Sequence, residues 1–105
     1  MEHSVCLTRR AYDEIDAIVS YIAQDAPVAA RRWRDSILRQ IDTLKYFPLR
    51  HGLAPEAQAV AVDVRQMMHG VYRVLYTVEA DIVTVHGVRH GARRPLQPGE
   101  LPGQS

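Results

Sequence analysis

Cysteine is almost absent from this sequence. Cys6 stands alone among 105 residues, so no internal disulfide can form and a secreted disulfide scaffold is excluded. No apolar run approaches the roughly 20 residues of a membrane-spanning helix. The opening Met1-Glu2-His3-Ser4 lacks the basic and then apolar blocks of a signal peptide. A glycine-rich phosphate loop, a serine triad and a redox pair of cysteines are all missing. Lysine is scarce too, with Lys45 the single lysine among thirteen basic residues. These absences leave a small cytoplasmic domain with no membrane segment as the expectation.

What is present suits one folded unit. Hydrophobic residues make up 47% and charged residues 24%, the balance of a globular chain rather than a disordered one. At this length folding hides roughly two-thirds of the surface the unfolded chain exposes, enough for one modest core. The net charge of +1 conceals a gradient. Up to Phe47 seven basic residues balance seven acidic ones, whereas Arg65 to Arg94 carries five basic against two acidic. An anionic partner for the second half is therefore plausible.

Periodicity divides the chain into elements. His3 to Thr8 alternates loosely and predicts a short strand, with Thr8 placed to cap the helix that follows. From Arg9 to Gln24, Tyr12, Ile15, Val19 and Ile22 fall at helical spacing, flanked by Ala11, Ile18 and Ala23. Asp25-Ala26-Pro27 breaks that helix and starts a second, from Pro27 to about Tyr46. Its apolar face holds Ala30, Trp33, Ile37, Ile41 and Leu44. So short a break folds the two helices into an antiparallel hairpin. Leu49 to Ala61 reads as a loop with a helical turn near Pro55 to Gln58. Three β segments follow, Val62 to Met68, Val71 to Val78 and Ile82 to Arg89, joined by turns at His69-Gly70 and Glu79-Ala80-Asp81. Tyr72, Val74, Tyr76 and Val78 share the core face of the middle strand, with Arg73 on the other face beside Leu75. The predicted fold is α+β, a helical hairpin packed on a small, mainly antiparallel sheet in the order β-α-α-β-β-β. Residues 1–94 form its single domain and 95–105 a loose tail.

The most distinctive constellation is Arg65, then Gly70-Val71-Tyr72-Arg73-Val74-Leu75-Tyr76, then Val88-Arg89-His90-Gly91-Ala92-Arg93-Arg94. On neighbouring strands these would gather five arginines and one histidine near one sheet surface. Such a group can hold phosphates, and a histidine among arginines can act as acid or base on RNA. The plainer account is that the strand arginines pair with Asp63, Glu79 or helix carboxylates.

These segments, with Ala11-Tyr12-Asp13-Glu14-Ile15, Tyr21-Ile22-Ala23, the Pro27/Ala30 helix start and Leu44-Lys45-Tyr46-Phe47-Pro48, resemble the RelE/ParE toxin superfamily from about Leu7 to Arg94. The resemblance implies a type II toxin–antitoxin toxin that causes growth arrest and is neutralised by an antitoxin encoded next door. Its two branches imply different chemistry. RelE-type members cut messenger RNA on the ribosome, and that branch would assign Arg65 and Arg73 to phosphate binding and His90 to proton transfer. ParE-type members poison DNA gyrase without catalysis, and that branch would make Arg89, His90, Arg93 and Arg94 the target contact. No aromatic residue follows Tyr76, Asp63 and Met67 stand where RelE is basic, and the His-Gly-Ala-Arg ending is more similar to ParE. The ParE-like branch is therefore the expectation, with no cofactor and no metal. Tyr12, Tyr21, Trp33 and Tyr46 are the aromatic candidates for antitoxin contact.

Other residues suggest less. His86 and His90 lie four apart on a strand and its exit, without the further ligands a metal needs. Cys6 reads as a small buried hydrophobe. His51 and Glu56 are either an acid–base pair for the ribonuclease branch or a solvated loop pair.

Overall fold

A computed structural model describes residues 2–100. Four strands, β1 (Ser4–Leu7), β2 (Arg65–His69), β3 (Tyr72–Glu79) and β4 (Ile82–His90), form one sheet in the order β1-β4-β3-β2. The β2–β3 and β3–β4 pairs are antiparallel and β1 joins β4 in parallel. Between β1 and β2 the chain makes helices α1 (Arg9–Ala23) and α2 (Pro27–Asp42), so the expected order and architecture are present. Among the described residues no helix is long and apolar enough to cross a membrane.

Local chemistry accounts for the boundaries. The Thr8 hydroxyl accepts the Ala11 amide at 3.1 Å, capping α1. Pro27 opens α2, where its missing N–H costs nothing. A 3-10 turn, Thr43–Lys45, finishes the second helical run. Gly70 takes φ +59° at the β2–β3 turn, a conformation glycine adopts without steric cost.

One face of the sheet meets the helical hairpin. Ile15, Ile37, Ile41, Leu44, Met67, Val74, Tyr76, Val83, Val85 and Val88 are buried there, with Trp33 and Tyr72 packed against them. Tyr12, expected in the buried stripe of α1, instead stands 52% exposed. The opposite face is covered differently. Ala54, Val64, Leu75 and Leu96 form a second, smaller cluster under the segment between α2 and β2 and the residues after β4. Residues 95–100 therefore differ from the loose tail expected: Leu96 is 2% exposed and a 3-10 turn, Pro98–Glu100, follows it. The remainder of that tail, 101–105, lies outside the described residues.

Strand β2 begins three residues later than the pattern suggests. Val64 turns inward to the second cluster, and its carbonyl accepts the Ala54 amide rather than a strand partner. Cys6 is exposed, not buried, because β1 is an edge strand and its outward positions alternate into solvent.

Candidate functional site

The register separates residues that the sequence suggested would gather. Arg65 stands opposite Tyr76, and His90 opposite Tyr72, so both belong to the helix-facing side. Arg73 stands opposite Met68 and Arg89, on the other side. The three residues of the ribonuclease assignment are thus divided between two faces of the sheet.

Arg73 is also committed. It is 6% exposed, and its Nη1 and Nη2 donate to Glu56 Oε1 and Oε2, each at 2.9 Å. Nη1 donates as well to Gln66 Oε1 at 3.1 Å. Glu56 Oε2 accepts the Leu96 amide at 3.0 Å. This bidentate fork satisfies both charges where water is excluded, and ties the α2–β2 segment, the sheet and the tail together. Burial pushes the Glu56 carboxyl up, but the Arg73 and Leu96 hydrogen bonds outweigh it and hold the group below its ordinary value. Glu56 is therefore neither solvated nor paired with His51. The His51 ring lies edge-on to Tyr76, and burial, then the Arg50 charge, lowers its affinity for a proton.

At the exit of β4 a second group of charges surrounds the end of β1. Because β1 stops at Leu7, the Val88 amide has no strand partner, and Glu14 of α1 accepts it at 3.1 Å. The same carboxylate lies 4.0 Å from Arg89 and 3.7 Å from Arg10. Arg89, expected to contact a target, is only 2% exposed, and its Nη2 donates to the Arg94 carbonyl at 3.0 Å. It shapes the exit from inside and presents nothing to a partner. Burial first, then the neighbouring Arg93, lowers its proton affinity against the pull of Glu14.

His90, Arg93 and Arg94 are exposed. His90 Nδ1 accepts the Ala92 amide at 3.0 Å and its ring meets Tyr72 edge-on at 5.6 Å. Arg94 pairs with Glu100 at 3.2 Å, and Arg10 reaches the same carboxylate at 3.3 Å. The Gln97 amide, then Arg94, holds Glu100 down at about 2. Arg93 makes no ion pair among the described residues, so its charge faces solvent unopposed.

The aromatic candidates separate into two kinds. Tyr12, Tyr21 and Tyr46 are 52%, 72% and 51% exposed, open to a partner. Trp33 is half-buried and lies edge-on to Tyr72 at 5.1 Å and to His69 at 6.4 Å, a row that continues to His90. Sequence reasoning overlooked the role of Glu56 as the Arg73 partner and the exposure of Phe47 and Leu49. A signal for the first was present: a carboxylate just after Pro55, in a segment otherwise poor in charge.

The fold and the sequence agree with known toxins. Residues 5–95 match the family described as ParE toxin of type II toxin-antitoxin system, parDE. The fold is similar to that in a chromosomal ParDE toxin–antitoxin system from P. aeruginosa, with a TM-score of 0.72 at 18% identity, covering 85% of this chain and 96% of that one. It is also similar to the RelBE2 toxin–antitoxin complex from Mycobacterium tuberculosis, with a TM-score of 0.60 at 20% identity over 86% of this chain and 99% of that one. An archaeal RelE–RelB complex from Pyrococcus horikoshii OT3 gives a TM-score of 0.58 at 17% identity, covering 90% and 100%. No curated protein sequence matches the chain. With nearly its whole described length accounted for by one family, the chain belongs to the ParE toxins of type II toxin–antitoxin systems.

Proposed function

We infer that this toxin acts by binding DNA gyrase, without catalysis of its own, and is held inactive by a cognate antitoxin. The observation that carries the reading is the Arg73–Glu56 fork. A phosphate-binding arginine must offer its guanidinium to a ligand, and this one is buried and already neutralised. The separation of Arg65 and His90 from Arg73 speaks the same way, since acid–base cleavage needs its groups around one reacting atom.

The contact assigned to the target is the exposed basic exit of β4: His90, Arg93 and Arg94, with Arg89 as internal support. Arginine forks on an exposed segment suit carboxylate-bearing protein surfaces. Tyr12, Tyr21 and Tyr46 are exposed aromatics that offer anchors for the antitoxin, and a similar fold is found in toxin–antitoxin complexes.

Induction of the chain alone, with pulse-labelling of DNA and protein synthesis, tests this. DNA synthesis is expected to fail first while translation continues. Early arrest of translation, with mRNA cut on ribosomes, would replace this reading with the RelE-like ribonuclease. Replacing Arg93 and Arg94 together by Ala is expected to relieve growth arrest with the fold intact.

A further inference from the structure

The segment after α2 displays apolar side chains outward from a backbone held in place on every side. Phe47 has φ +46° and ψ +56°, the left-handed region, and is 80% exposed. That conformation is costly for a residue with a Cβ, and it is further disfavoured before a proline. Nothing in the core rewards it, since the ring points into solvent.

The surrounding bonds impose it. The Tyr76 hydroxyl, from inside the core, donates to the carbonyl of buried Pro48. Arg50 Nη1 donates to the carbonyls of Tyr46, Phe47 and Thr43, the last two at 3.2 and 3.4 Å, and Nη2 to Thr43 Oγ1 at 3.0 Å. Arg65 Nη1 donates to the His51 carbonyl at 2.7 Å. Leu49, two residues on, is 61% exposed. His3, Phe47, Pro48, Leu49 and Arg50 line a cleft of about 450 Å³, and His3 Nδ1 is buried without a hydrogen-bond partner.

The charge of this region is positive on balance: Asp42 and Glu2 answer Lys45, and no carboxylate among the described residues answers the two arginines. Arg50 and Arg65 bond only to neutral oxygens and have no carboxylate partner among the described residues. Between Asp42 and Glu56 the chain has no acidic residue, and Glu56 is spent on Arg73. A preorganised apolar knob beside two uncompensated guanidiniums fits a partner with an apolar side chain and carboxylates close together.

We propose that the Phe47–Arg50 loop is a docking site for an acidic segment of the antitoxin, which places a large apolar side chain in the cleft and a carboxylate against Arg50. The proposal rests on the antitoxin reading above and extends its contact surface beyond Tyr46. Strain at Phe47 is then the cost of presenting a rigid anchor.

The test is calorimetric titration of the purified toxin with the product of the neighbouring gene, alongside thermal melts. Phe47→Gly removes the anchor and relieves the strained φ together. It is expected to weaken antitoxin binding roughly tenfold or more while leaving Tm unchanged or raised. Leu49→Ser is expected to weaken binding in the same direction, and added salt to weaken the wild-type complex. Affinity of Phe47→Gly within twofold of wild type would overturn the proposal. So would a change in toxin self-association with antitoxin affinity intact, which would give the loop to a second copy. Failure of the wild-type chain to bind the antitoxin at all would overturn the antitoxin reading itself.

Discussion

The two faces of the sheet are closed by different physics. The helix-facing side is sealed by area: a hairpin lays Ile37, Ile41 and Leu44 onto Met67, Val74, Tyr76 and the valines of β4. Each such side chain contributes on the order of 1.5–3 kcal/mol by leaving water, and no single one decides the outcome. The other side has a smaller cluster of four buried apolar residues and relies on buried arginines: Arg73 in a bidentate pair with Glu56, from which the tail is hung by the Leu96 amide, and Arg89 bonded to the Arg94 carbonyl. A face closed by many equal contributions yields gradually to mutation. A face that depends on one charged fork is sensitive to a single residue, and the fork keeps the guanidinium of a strand arginine occupied.

Breaking that fork has the largest expected effect. Glu56→Ala leaves the Arg73 charge buried without its carboxylate and is expected to cost about 3–5 kcal/mol in denaturant unfolding. The helix-facing side answers with Ile37→Ala, at about 2–5 kcal/mol from lost burial and the remaining cavity. Leu96→Ala is expected near the lower end of that range, about 2 kcal/mol, because the residues around it can settle into the space. A protease-sensitive tail after this substitution, with the helical hairpin unaffected, would show that the two faces are independent.

Acid sharpens the same contrast. Glu56 and Glu100 have lowered values in the folded protein, so their stabilisation is complete above the unfolded value of 4.5 and is lost as pH falls through their folded values, for Glu100 about 2. His51 and His86 have their proton affinity lowered by burial, so stability starts to decline earlier, as pH falls through 6.5 and the unfolded chain takes up protons first. Melts across pH 2–8 are expected to show two descending steps. Glu56→Gln is expected to shrink the lower step. At the small end, Arg9→Ala breaks an exposed pair with Asp13 and is expected to change stability by less than about 0.5 kcal/mol.

The helix-facing side was legible because helices and strands write their buried faces into the sequence as periods. Ala30, Trp33, Ile37, Ile41 and Leu44 recur every three or four residues, and Tyr72, Val74, Tyr76 and Val78 alternate. The other side has no period. Its cover is an irregular segment with short 3-10 turns, and its key contact joins residues 17 apart in sequence through side-chain geometry alone. The division of the basic residues was partly readable. A two-residue turn at Gly70-Val71 sets His69 opposite Tyr72 and Arg65 opposite Tyr76, which puts Arg65 on the tyrosine face and Arg73 on the other. Counting basic residues by stretch, without that register, merges two faces into one. Cys6 misleads for a related reason, since burial of a strand residue depends on whether its strand is central or an edge, and that is fixed by partners far along the chain.

The most direct measurement is the toxicity of the double variant Arg73→Met/Glu56→Leu. Replacing a buried ion pair by apolar groups of similar size is often neutral or stabilising, so the fold is expected to survive where either single change would not. If Arg73 only closes the sheet, the folded double variant still arrests growth when induced without antitoxin. A double variant that melts like the wild type yet has lost its toxicity would contradict the account and return Arg73 to the chemistry of the target.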